Sequence, residues 1–295
     1  MKKFKKLALP YGLWLLVLVG IPLVLMVVMS FLDMERLEFE NATFSVSHFK
    51  DVFNSSYLKA FGLSMKYAAI ATIGCILLGY PIAYIVARSK MKNKFLFLVL
   101  FILPMWTNLL LRIETINNLL KPEGFLKSVF GISLNLSGGE AAIILCMIVV
   151  YLPFMIFPIY TVLEKLDNSL LEAAQDLGAN PAKAFVKVTL PLSLKGVMSG
   201  ITMVFLPCAM GFTIPEIVSN GNIQLIGNII ESAFKGNAGI FNQGCLIALV
   251  IIVFVMGALF IIGKVDEEGE TLLWVKLKEF LFQHHKKYLK LQNQF

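Results

Sequence analysis

Six stretches of the chain are apolar and free of Asp, Glu, Lys and Arg: residues 11–31, 67–87, 95–111, 141–163, 196–215 and 244–263. Crossing about 30 Å of hydrocarbon takes about 20 helical residues. The third stretch is shorter and reaches that length only by running on through Arg112. Lipid offers no partner to a free N–H or C=O, so helix is the only reading. The pattern predicts an all-α polytopic membrane protein with six spans. Lys2, Lys3, Lys5 and Lys6 before the first stretch give it the outline of a signal peptide. It is too long for a signal h-region and no small-residue cleavage site follows, so it is expected to remain as a span. Prolines 22, 81, 104, 153, 158 and 207 fall inside the stretches. They fit either ordinary membrane-helix proline or hinged helices around a pathway.

The segments between the stretches alternate in charge. The N-tail, residues 88–94, residues 164–195 and the tail from Lys264 carry 18 of the 26 Lys and Arg. The positive-inside rule puts those segments and both termini in the cytoplasm, with residues 32–66, 112–140 and 216–243 outside. The net charge of +7 is thereby assigned to the membrane surface and not to nucleic acid. Residues 1–263 are expected to form one membrane domain and 264–295 a basic tail. In that tail Leu272, Leu273, Leu277, Phe280 and Leu281 stand among lysines, as in an amphipathic helix on an anionic leaflet or a solvated end. Cys75, Cys146, Cys208 and Cys245 have no metal or redox spacing and read as buried thiols. Asn41, Asn54 and Asn135 open N-x-S/T triplets of the kind that arise by chance.

Residues 164–195 are long for a connector. Ser169 with Glu172 three positions on has the form of a capping box and predicts a helix start. Gly178 suits the left-handed residue that ends a helix. Asn180-Pro181 then supplies an N-cap and a favoured first position for a second helix, running to about Thr189 and stopping before Pro191. Two short helices joined by a glycine turn make a projecting hairpin. Ala173, Ala174, Leu177 and Ala179 are small or apolar and would let a partner surface come close. Glu172 either only caps its own helix or also docks.

Glu172-Ala173-Ala174, Gly178 and Val188-Thr189-Leu190-Pro191 resemble the E-A-A…G…I-x-L-P loop of ATP-binding-cassette importer permeases, the binding-protein-dependent EAA-loop superfamily. Val188 stands where Ile is commoner. Leu103-Pro104-Met105-Trp106-Thr107-Asn108 with Arg112, Leu152-Pro153-Phe154, Glu164-Lys165-Leu166-Asp167 and Leu225-Ile226-Gly227-Asn228 resemble the spermidine/putrescine branch. Ile113-Glu114-Thr115 departs from that branch, which often carries tyrosine there, and the tail is longer. The resemblance covers roughly residues 8–264. It implies the six-helix type I importer permease fold and a multi-pass place in the bacterial inner (cytoplasmic) membrane. The implied partners are a cytoplasmic ABC ATPase dimer, a second permease subunit and an external solute-binding protein, with a polyamine as solute. It makes Glu172, Ala173, Ala174, Gly178, Leu190 and Pro191 the coupling element, and it implies no cofactor or metal.

The chain lacks a G-x-x-x-x-G-K-[ST] phosphate loop, so ATP hydrolysis is expected of a partner and no catalytic residue is expected here. A membrane-embedded enzyme or an ion-coupled carrier would place ionisable groups within its spans, and these spans have none. A permease of the same superfamily for an amino acid, an anion or a metal complex stays open, separated only by the L-P-x-W-T-N stretch. A polycation path calls for aromatic faces and a few carboxylates. Tyr80, Tyr84, Trp106, Asn108 and Tyr151 lie in spans, and Glu114, Glu140 and Glu216 near outer ends, where each equally fits a solvated loop acid. Trp106, Asn108, Glu114, Tyr151 and Glu216 are the candidate path. Arg112 opposes a cation path unless it pairs with Glu114 or a partner.

Overall fold

The computed structural model describes residues 10–33, 43–45, 49, 54–90, 92–131, 136–176, 178–235, 241–260 and 263–264. The N-tail lysines, the tail beyond Lys264, Leu177, and Asn41 and Asn135 of the triplets lie outside the described residues.

Helices dominate. In chain order they are α1 (Pro10–Ser30), α2 (Ser55–Arg88), α3 (Lys94–Ile102, with a 3-10 turn Leu103–Trp106) and α4 (Leu109–Leu120). Then follow α5 (Phe125–Phe130), α6 (Glu140–Glu164), α7 (Asn168–Asp176) and α8 (Pro181–Met210). The last are α9 (Thr213–Ser219), α10 (Ile226–Lys235) and α11 (Phe241–Phe260). Among the described residues five helices are long and apolar enough to cross a membrane, and six if the bent pair α3–α4 counts as one. A two-residue antiparallel pair, β1 (Leu32–Asp33) and β2 (Thr43–Phe44), follows α1, with Phe31 stacked on Phe44.

The chain forms two compact units: Met1–Ser64 with Gln224–Met256, and Met65–Ile223 with Gly257–Phe295. In the first, the start of α10 is capped by the Ser64 hydroxyl, which accepts the Ile226 N–H at 2.9 Å. Leu225 N–H is taken by the Asn228 side chain at 3.2 Å. Phe61 of α2 meets Phe254 of α11 edge-on at 5.0 Å. Added Cβ atoms show how close backbones run: at Gly244 one would lie 2.7 Å from Ala233 Cβ.

The second unit is built on α6 and α8, antiparallel and in backbone contact. A Cβ on Gly196 would fall 2.9 Å from both Ile159 Cα and Pro158 O. Met155 and Ile159 are buried where they face Gly200 and Gly196 on this seam. Helix α2 runs parallel to α6 and packs against its side chains, a Cβ on Gly74 reaching within 2.6 Å of Ile148 Cδ1. The four cysteines are buried and unbridged.

The helix pattern departs from expectation in three places. The third span is not straight: α3 and α4 meet at 97°. Pro104 opens a tight turn, Thr107 is extended and donates its hydroxyl to Pro104 O at 2.6 Å, and the Asn108 side chain accepts Leu110 N–H at 2.8 Å to start α4. The second hairpin helix does not stop before Pro191. It continues as α8 through a π turn at Phe185–Thr189, with Pro191 near the start of the α-helical stretch Leu190–Met210. A proline cannot donate and clashes with the carbonyl four residues back; wider π hydrogen bonding just before it accommodates both. The fifth span also ends early, at Met210. Gly211 is extended, and Pro215 belongs to α9.

The seam predicts an order of tolerance. Gly196→Ala meets rigid backbone and should cost about 1–3 kcal/mol as overpacking does. Gly200→Ala first meets the flexible Met155 thioether, at 2.5 Å, and should cost less. Thermal unfolding in detergent should show a larger loss for Gly196→Ala; equal losses would mean that Pro158 and Ile159 can move aside.

Candidate functional site

The segment between α6 and α8 folds as the hairpin the sequence predicts, with a different start. α7 begins at Asn168, and the cap is Asp167, whose carboxylate accepts Ser169 N–H at 3.0 Å. Glu172 lies beyond the first turn, too far on to close a capping box, and its side chain is exposed. The Ser169 N–H, aided by the Ser169 hydroxyl, holds the Asp167 carboxyl below its usual range. The turn is a Schellman motif: Ala179 N–H donates to Ala174 O at 3.0 Å and Gly178 N–H to Gln175 O at 2.8 Å, with Gly178 at φ +84°. Asn180 caps α8 by accepting Lys183 N–H at 2.8 Å, and Pro181 takes the first position.

The hairpin has its own interior. Ala174, Ala179, Ala184 and Val188 are buried together, with Leu170 and Leu192 against them. Ala173 and Ala174 therefore do different work: one is exposed beside Glu172, the other seals the two legs. Gly178 and the Asn180–Lys183 turn are exposed. Leu190 and Pro191 are half-buried at the root. The outer surface is thus small-residued, carries the Glu172 carboxylate, and is backed by a rigid interior.

The root grips α2 through residues that the sequence reading did not assign to the hairpin. The Arg88 guanidinium donates to the Asn168 carboxamide. Tyr80 shares a 2.8 Å hydrogen bond with Ser193. Phe185 meets Tyr80 and Tyr84 edge-on, at 6.0 and 5.1 Å between centroids. Tyr80 and Tyr84, read as cation-binding faces, are therefore occupied in packing. Asp167-Asn168 before a helical run was the signal for the cap; nothing local marks Phe185.

The five path candidates are spread over packed helices. α4, α6 and α9 pack on one another, bringing the elements that carry Glu114, Tyr151 and Glu216 together. Asn117 of α4 donates to Ile217 O of α9 at 3.4 Å. Trp106 stands at the bend, 84% exposed. The Asn108 side chain is committed to its cap. Glu114 pairs with Lys121 at 3.6 Å, not with Arg112. The Arg112 Nε is enclosed and has no hydrogen-bond partner among the described residues, and its charge lies within electrostatic reach of Tyr151 and Cys146. Tyr151 is half-buried, its ring 6.0 Å from Phe154. Glu140 ion-pairs with Lys66 at 3.1 Å, both half-exposed, which ties α6 to α2.

Helices long and apolar enough to span a membrane, with a capped hairpin between two of them, define a multi-pass membrane protein. Residues 75–264 match the family described as binding-protein-dependent transport system inner membrane component, and the chain belongs to that family. It is 34% identical over 268 residues to the spermidine/putrescine transport system permease protein PotB of Haemophilus influenzae, covering 86% of this chain and 94% of that protein. To PotB of Escherichia coli it is 33% identical over 227 residues, 75% of this chain and 82% of that one. The inner membrane ABC transporter permease protein YdcU of Escherichia coli is 28% identical over 231 residues, 72% of each chain. Among solved structures, a chain of a bacterial ABC transporter involved in the import of the acidic polysaccharide alginate superposes with a TM-score of 0.67 at 14% identity, covering 91% of this chain and 95% of that one. That likeness shows the fold alone, an all-α polytopic one.

Two expectations follow for the hairpin. Gly178→Val forces a β-branched residue into a left-handed turn at about 1–2 kcal/mol, although the space around it is open. Amide exchange of Ala179 should speed up about tenfold, with Gly178→Asn milder because Asn tolerates that region. For Asp167, a carboxyl lowered in the folded state stabilises above its unfolded value of about 4 and loses that contribution as pH falls through the folded value. First-turn amide protection in α7, corrected for intrinsic exchange, should therefore fall in strong acid in the wild type and show no such step in Asp167→Ala.

Proposed function

We propose that this chain is the permease subunit of a polyamine importer, carrying spermidine or putrescine inward by alternating access driven by a partner ATPase. The observation that carries the reading is the capped hairpin. It is a stiff two-legged element with its own sealed interior, presenting Glu172, Ala173 and the Gly178 turn outward and rooted at Leu190 and Pro191 in a spanning helix. Such an element can dock in a groove of an ABC ATPase dimer and convert its closure into helix motion. Glu172, Ala173, Ala174, Gly178, Leu190 and Pro191 form the coupling element. A second permease subunit and an external solute-binding protein complete the assembly. The loop charges support cytoplasmic termini and a cytoplasmic hairpin.

The names of the PotB relatives support a polyamine. The physical case rests on Trp106, Tyr151 and Glu216 around the broken third span. Aromatic faces and a carboxylate can replace part of the water around an ammonium group. Asn108 contributes by shaping that break through its cap, and Glu114 adds a carboxylate on the helix that follows it, paired with Lys121.

The test is uptake of labelled spermidine by proteoliposomes holding both permeases, the ATPase and the binding protein. Excess unlabelled putrescine or spermidine should compete, and amino acids and sulfate should not. ATP-driven uptake of an amino acid or sulfate that polyamine does not reduce would remove the solute claim and leave the permease reading. For the orientation, a cysteine at Ser55 should react with an impermeant thiol reagent in intact cells and one at Ala182 should not; the reverse labelling would invert the topology.

A further inference from the structure

Helix α2 is continuous over 34 residues, yet its two ends have different partners. Before Pro81 it lies flush on α6. A Cβ on Gly74 would sit 2.6 Å from Ile148 Cδ1 and one on Gly79 3.1 Å from Met155 Cγ, while the Cys75 thiol reaches the Ile148 carbonyl at 3.6 Å. From Tyr80 onward it is the hairpin that holds it. Tyr80, Tyr84 and Arg88 recur every four residues and so share one face. Tyr80 bonds Ser193, Tyr80 and Tyr84 flank Phe185, and Arg88 bonds Asn168. Both legs of the hairpin take part: Asn168 opens α7, and Phe185 and Ser193 lie at the root of α8. Pro81 falls at the changeover. It cannot donate to the Leu77 carbonyl, so the ladder is missing a rung where the partners change. At the far end Lys94 of α3 donates to the Ala87 carbonyl at 2.7 Å, linking the same segment to the broken third span.

We propose that residues 82–88 of α2 are a lever hinged at Pro81, and that Phe185, seated edge-on against Tyr80 and Tyr84, is the positioning residue that passes displacement of the hairpin to the second span and, through Lys94, to the third. This rests on the hairpin being the ATPase docking element. Tyr80 and Tyr84 are then parts of the drive and not faces of the solute path. The lever moves with the hairpin and against α6, since its contacts to the hairpin are side chains clasped on one face while α6 stays packed on the part of α2 before the hinge.

The experiment uses the complete importer with spin labels at exposed positions: Ile85 on the lever, Ala182 on the hairpin and Val149 on α6. The four native thiols, all buried, stay in place. On ATP binding the 85–149 distance should change by several ångströms while the 85–182 distance holds. Phe185→Ala should keep the ATPase subunits bound and abolish the 85–149 change, and Phe185→Leu, which retains bulk without the ring edge, should retain part of it. Pro81→Ala restores the rung and should blunt the change without lowering the melting temperature. In both Phe185→Ala and Pro81→Ala, spermidine carried per ATP hydrolysed should fall roughly tenfold. A packing role alone would lower uptake and hydrolysis together and leave their ratio intact. The proposal is overturned if the 85–182 distance changes as much as the 149–182 distance, or if Pro81→Ala moves and transports as the wild type does. Failure of the docking reading looks different: Gly178→Val and Glu172→Ala would then retain bound ATPase and normal transport, whatever the labels on α2 report.

Discussion

Every break in a helix that crosses lipid must find partners for the backbone groups it frees, and this constraint shapes the functional parts of the chain. At the third span the freed groups are answered within four residues: Thr107 returns to Pro104 O, and Asn108 caps the next helix. At the hairpin they are answered by Asp167, by the paired bonds around Gly178, and by Asn180. At Pro191 the chain avoids a break by widening into a π turn. At these three places the chain supplies its own substitutes for water, and they lie in the candidate path and the coupling element.

Apolar stretches made the helical class and the number of spans legible, because length and absence of charge are sufficient criteria in lipid. They failed at ends and bends. The run 95–111 is unbroken in hydrophobicity, and its break is written in Pro104, Thr107 and Asn108, residues whose local hydrogen bonding a hydropathy count ignores. The second leg of the hairpin was stopped at Pro191 because proline usually ends a helix, and the π turn that rescues it has no sequence signature of its own. In the hairpin, Gly178 and Asn180-Pro181 were readable because each does one local job. The cap was misassigned to Ser169 although Asp167 stood two residues earlier with a stronger acceptor.

The site divides along the same line. Residues that act through the nearby backbone, Gly178 and Asn180, could be named from spacing. Residues that act across the fold could not. Tyr80 and Tyr84 looked like free aromatic faces inside a span until Phe185, about a hundred residues away in sequence, was seen between them. Glu114 looked like a partner for Arg112 at two residues' distance, but neighbours two apart on a helix face different ways, and Lys121 takes it.

Where such a protein can move follows from how each contact is made. Between α6 and α8 the backbones meet across Gly196, where the atoms nearest an added Cβ are main-chain atoms of Pro158 and Ile159. Sliding there would drive main chain into main chain, so α6 and the Leu190–Met210 part of α8 behave as one body, with the π turn at Phe185–Thr189 between that body and the hairpin. α2 before Pro81 joins that body through Gly74 and Gly79. Beyond Pro81 the contacts to the hairpin are the Tyr84–Phe185 ring edge and a guanidinium on a carboxamide, interactions that can tilt without colliding. Packed interiors switch between discrete arrangements and do not deform continuously. The rigid seam and the clasped segment meet at a residue that cannot complete the helix ladder, and that meeting point is where a displacement at the hairpin can be taken up without unpacking the spans.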